Sequence, residues 1–158
     1  MAGDLRFITT GMHINTELER IADLTVNISQ RVLDIADQEL LKPMIDIPKL
    51  ADQAKQMVKN AIDAFVKKDE ALAKEVILSD KESNNLRTLV IKELINDYMV
   101  KDGKTVPRAV PLLLITRDLE RICDHAASIA EDVIYMIQAR IVRHHRERLT
   151  AIDVEEDT

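Results

Sequence analysis

The chain has 158 residues, 46% hydrophobic and 32% charged, with 3 Gly, 4 Pro, no Trp and a formal charge of -6. That length fits one domain, or one domain with an extra element, and so few helix breakers suit long amphipathic helices in an all-α fold. The acidic surplus argues against a protein that coats nucleic acid, and the single Cys123 leaves no internal disulfide framework; Met1 to Arg6 run straight into a charged amphipathic pattern, so neither a signal peptide nor a membrane span is expected, and the chain is placed in the cytoplasm.

Apolar residues at Ile14, Leu18, Ile21, Thr25, Ile28, Val32 and Ile35 step by four and three, so residues 4–40 read as one long helix with Asp4 as its cap. Pro43 and Pro48 bracket a short linker. A second helix then carries Ile47, Leu50, Ala54, Met57, Ala61 and Ala64 on one stripe, and a third over 70–100 turns Leu72, Val76, Leu86, Val90 and Leu94 inward. Asp102-Gly103 signals a turn, and Pro107 and Pro111 fit the first turns of a fourth helix. Its seam is Leu112, Ile115, Leu119, Ile122, Ala126, Ile129, Val133 and Met136, a pattern that calls for helical partners. Arg140, Arg143, His144, His145, Arg146 and Arg148 make a basic helix end, suited to the helix dipole or to docking on an acidic surface or headgroups, before an acidic tail over 151–158.

One turn of helix occurs twice. Leu18-Glu19-Arg20-Ile21-Ala22-Asp23 returns as Leu119-Glu120-Arg121-Ile122-Cys123-Asp124, and residues 17–36 match 118–137 at 7 of 20 positions. Glu19 and Asp23, like Glu120 and Asp124, fall roughly opposite the apolar seam and are expected to face outward. Like charges one turn apart cost a helix roughly 0.2 to 0.5 kcal/mol, so compensation is needed. Arginines at helix-neighbour spacing supply one form of it, Arg20 to Glu17 and Asp23, Arg121 to Asp124, Arg117 to Glu120. A cation such as magnesium, manganese or iron supplies another, provided that other helices, waters or a second chain complete its shell. A metal-oxidising carboxylate bundle would need a Glu-x-x-His pair, which none of the four histidines makes, and the three glycines form no phosphate loop.

The second copy of the motif, running Arg117-Asp118-Leu119-Glu120-Arg121-Ile122-Cys123-Asp124-His125-Ala126 and on through Ile129 to Met136, closely resembles the PhoU family of bacterial phosphate signalling. Asp4-Leu5-Arg6-Phe7-Ile8 and the first Leu-Glu-Arg-Ile-Ala-Asp resemble the third helix of that family's first repeat. The resemblance implies two three-helix repeats whose surface Glu/Asp-x-x-x-Asp motifs bind iron, zinc or other metals, in a protein that links the phosphate ABC transporter to a sensor kinase and restrains the phosphate-starvation response. It assigns the metal role to Glu19, Asp23, Glu120 and Asp124, with a companion motif at Asp80 and Asn84, where an amide stands for the second carboxylate and weakens the expected site.

On this reading residues 1–43 are the third helix of an incomplete first repeat, 44–150 a complete three-helix repeat, and 151–158 the tail. The first helix either packs as a fourth on the complete repeat or pairs with another chain; self-association into a homodimer or higher oligomer is expected, because about 37 helical residues, roughly 55 Å, carry too much apolar stripe to leave in water. Cys123 reads as a small packing residue or a soft ligand, and His125 as a plain polar residue or a support to a ligand. The expected function is non-catalytic regulation of phosphate uptake, without an organic cofactor or nucleic-acid partner. The alternatives are a helical assembly module lacking a functional metal site and an accessory to a secondary phosphate transporter.

Overall fold

The computed structural model describes residues 2–39, 41 and 46–139, and among these every regular element is helical. Four long helices carry the fold: α1 (Ala2–Ile35), α2 (Asp46–Lys67), α3 (Glu70–Glu93) and α4 (Val106–Gln138). Pro43, the basic stretch from Arg140 to Arg148 and the acidic tail lie outside the described residues.

Local chemistry sets the boundaries. The Asp69 side chain caps α3 by accepting the Leu72 N–H at 3.0 Å, and Lys68 just before it takes the left-handed conformation (φ 53°) that lets α2 turn back into α3. Past Glu93 the chain stays helical but widens into a π-turn over Leu94–Met99, then closes through a 3-10 turn, Gly103–Thr105, in which the Asp102 carboxylate accepts the Lys104 N–H. Pro107 sits in the first turn of α4, where its missing N–H costs nothing. Three sequence expectations shift here. Asp4 lies inside the first turn of α1, favourable to the dipole, instead of capping it; α1 ends at Ile35; and Pro48 falls within the first turn of α2.

α2, α3 and α4 pack on one another as a three-helix bundle. On α2 the inward stripe is Leu50, Ala54, Met57, Ala61 and Ala64, every one at most 3% exposed, and its alanines let the neighbouring backbones approach closely. α4 is the hub, for it meets all three other helices, and residues from Ala109 to Met136 are buried on more than one of its faces. A smaller cluster, Leu41, Val90, Leu94 and Ala109, seals the end where α3 widens.

α1 lies along α4, so the first helix is packed as a fourth on the bundle. Its inward residues are Thr10, Ile14, Leu18, Ile21, Leu24, Ile28, Arg31 and Ile35, with Ile14 and Leu24 at 6% and 5% exposure. Thr25 and Val32, expected on that stripe, are exposed instead. At the far end Phe7 stacks on Phe65 of α2, centroids 5.5 Å apart, and the Lys68 ammonium stands 5.7 Å above the Phe7 ring.

Candidate functional site

The repeated helices α1 and α4 face each other, and the seam between them is tied by polar groups. The Arg31 guanidinium donates to the carboxylate of Asp118, which is 1% exposed, and Arg117 stands 3.4 Å from the other oxygen of Asp118. One heptad along α4, His125 Nδ1 lies 2.5 Å from Glu17 Oε2, while Arg20 donates to the other Glu17 oxygen at 2.8 Å. A heptad further, His13 approaches Asp132 at 3.6 Å. Buried charge costs several kcal/mol unless paired, so these contacts fix how α1 sits against α4. Glu17 and Asp118 are equivalent positions of the repeat, 101 residues apart, each turned to the opposite helix. That equivalence was the signal that could have found the seam. His125 joins a long-range contact and is more than a plain polar residue.

The proposed metal residues are spread over two places. Glu19 and Asp23 are exposed on α1, with Glu19 accepting a hydrogen bond from Asn15 Nδ2 at 3.0 Å. The other four line the α3–α4 contact, where Asp80 is buried, Glu120 and Asn84 half-buried and Asp124 exposed. Asn84 turns its amide N–H to the Asp80 backbone carbonyl at 3.0 Å and more distantly to the Asp80 carboxylate. Glu120 pairs across helices with Arg87 Nε at 3.3 Å, not with Arg117 as spacing suggested, and Arg20 bridges to Glu17 and not to Asp23.

Among the described residues no three His, Cys, Asp or Glu side chains converge to hold an ion, Glu120 already faces a guanidinium, and Asn84 presents a donor where a ligand must accept. Cys123 sits in the same seam, fully buried beside Ser83. Burial pushes its thiol up from 9.0 to about 12; a hydrogen bond with Ser83 pulls the other way, and the charges of Asp80, Asp124 and Glu120 add to the rise. A protonated thiol in that setting packs; it is a poor soft ligand.

A three-helix bundle with a fourth helix carrying a copy of its own last helix is a specific arrangement. The family model described as the PhoU domain matches residues 1–32 and 47–133. The chain belongs to the PhoU family. The phosphate-specific transport system accessory protein PhoU homologue of Pseudomonas putida is 34% identical over 152 residues, and that of Aquifex aeolicus is 36% identical over 143 residues. Those alignments take in 95% and 90% of this chain but 59% and 64% of the relatives, so the chain spans about three-fifths of their length. The crystal structure of PhoU from Pseudomonas aeruginosa superposes with a TM-score of 0.84 at 32% identity, covering 89% of this chain and 67% of that one. PhoU from Streptococcus pneumoniae gives 0.82 at 25% identity, covering 90% and 67%. The all-α PhoU fold, down to α1 against the bundle, is thereby shared with solved proteins.

Proposed function

We propose that the chain is a non-catalytic accessory regulator of phosphate uptake. It works at the cytoplasmic face of the membrane, docks on a phosphate ABC transporter and on the sensor kinase of the starvation response, and restrains both when phosphate is plentiful. The observation that carries the proposal is the match of nearly the whole chain to PhoU homologues named as accessory proteins of the phosphate-specific transport system. The fold supports it physically. Helices tied by the buried Arg31–Asp118 pair and the Glu17–His125 contact hold a fixed surface, and a fixed surface regulates by being recognised. No helix among the described residues is long and apolar enough to cross a membrane, so in this reading contact with the membrane comes through the transporter.

The test is genetic. Deleting the gene should raise expression from a phosphate-starvation promoter in phosphate-rich medium, and the 158-residue chain supplied in trans should return it to the repressed level. Unchanged expression on deletion, or a deletion phenotype that the chain does not reverse, would remove the proposal.

A further inference from the structure

The Asp118 carboxylate lies between two guanidiniums that come from facing helices. Arg31 of α1 donates to one oxygen, and Arg117 of α4 stands 3.4 Å from the other. Asp118 is 1% exposed, whereas Arg31 and Arg117 are 22% and 51% exposed, so the acid forms a buried floor and the cations rise from it towards water. Two positive charges on one negative charge leave an excess. Each guanidinium also carries five N–H donors in a planar fork, more than a single carboxylate can accept. Among the described residues neither arginine makes an ion pair with any other acid.

The acids nearest along each helix do not cancel the excess. Glu120, one turn along α4, is held by Arg87 of α3, and Asp34, one turn along α1, accepts the Gln30 amide. Glu17, the next carboxylate of the seam, already has Arg20 and His125. Arg121, one turn past Arg117 on the same side of α4, is exposed and brings a third guanidinium, with Asp124 beyond it on the side away from Asp118.

We propose that Arg31 and Arg117, with Arg121 beside them, bind a phosphate ion on the solvent side of the α1–α4 seam. Guanidinium forks meet the oxygens of a tetrahedral anion with paired, charge-assisted hydrogen bonds, a fit that lysine ammoniums do not offer. Asp118 holds the forks in place before the ion arrives and repels it once it has, so the site is preorganised but of modest affinity. Because the arginines come from both repeated helices, the bound ion bridges α1 to α4. The site rests on this geometry; the choice of phosphate over sulfate rests on the reading of the chain as a phosphate regulator.

Isothermal titration calorimetry of the 158-residue chain with inorganic phosphate tests it. One site with a Kd of about 0.1 to 1 mM is expected. Arg117→Gln should weaken binding by about tenfold or more, with circular dichroism unchanged because that side chain is half exposed. Arg117→Lys keeps the charge without the fork and should recover only part of the loss. Asp118→Asn should tighten binding by about threefold or more, since it removes the negative charge beneath the ion. Adenosine monophosphate titrated in parallel separates two sources of the same anion: tighter binding than inorganic phosphate, equally lost in Arg117→Gln, assigns the site to a phosphate ester, and weaker binding assigns it to the free ion. No binding of either up to about 20 mM, or phosphate binding that Arg117→Gln leaves unchanged, would overturn the proposal. Neither result touches the regulatory reading, because a chain that binds no phosphate can still restore repression when supplied in trans.

Discussion

Asp118 is 1% exposed and meets Arg31 from the facing helix, so the cost of that pair appears only when one partner is removed. Arg31→Ala should destabilise the chain by about 2 to 3 kcal/mol by urea denaturation, near the lower end expected for a broken buried pair, because Arg31 is 22% exposed and Arg117 remains beside the carboxylate. Replacing both, Arg31→Met with Asp118→Leu, should cost less than about 1 kcal/mol, since no charge is then left buried. Cys123 gives a second expectation. With its folded-state pKa raised to about 12 against 9.0, the folded chain holds the proton that the unfolded chain gives up. Stability from this group is therefore complete below about pH 9 and lost as pH rises towards 12, and alkylation of the native protein at pH 9 should be far slower than in urea. At this scale the sequence was half legible. The repeated acids were plain, but spacing along one helix names only neighbours on that helix, and the partners that decide Glu17, Asp118 and Glu120 come from other helices.

At the scale of elements, heptad and 3.6-residue periodicity located the four long helices, and the stripe on α2 is buried from Leu50 to Ala64 as read, with Ile47 half-buried at its start. On α1 the reading drifted. Strict stepping by four and three falls on Thr25 and Val32, whereas the helix turns Leu24 and Arg31 inward. The reason is that the true seam includes charged members, Glu17 and Arg31, which a search for apolar periodicity passes over. The difference is measurable. Leu24→Ala should lower stability by about 2 to 4 kcal/mol as a buried truncation, while Val32→Ala should change it by no more than about 0.5 kcal/mol. Equal effects would mean that α1 is rotated from the position described. The π-turn at Leu94–Met99 had no signal in the sequence, because apolar spacing is too coarse to mark one extra residue in a turn.

For the molecule as a whole, α4 is a buried hub between the α2–α3 pair and α1, and the resemblance to PhoU carried the fold because packing of this kind is written in long apolar patterns. The expected metal site is a different kind of feature. A ligand shell depends on where a few side-chain atoms converge, which periodicity along one helix does not encode, and here Glu120 meets Arg87 and Asn84 meets Asp80. On the proposed reading, what the chain offers a partner includes shape and charge held in place by the α1–α4 seam. The central claim, that this surface docks on the phosphate transport machinery, is tested most directly by co-sedimenting the purified chain with membranes that carry the phosphate ABC transporter and with membranes that lack it. Retention that depends on the transporter is predicted; equal recovery from both preparations would contradict the account.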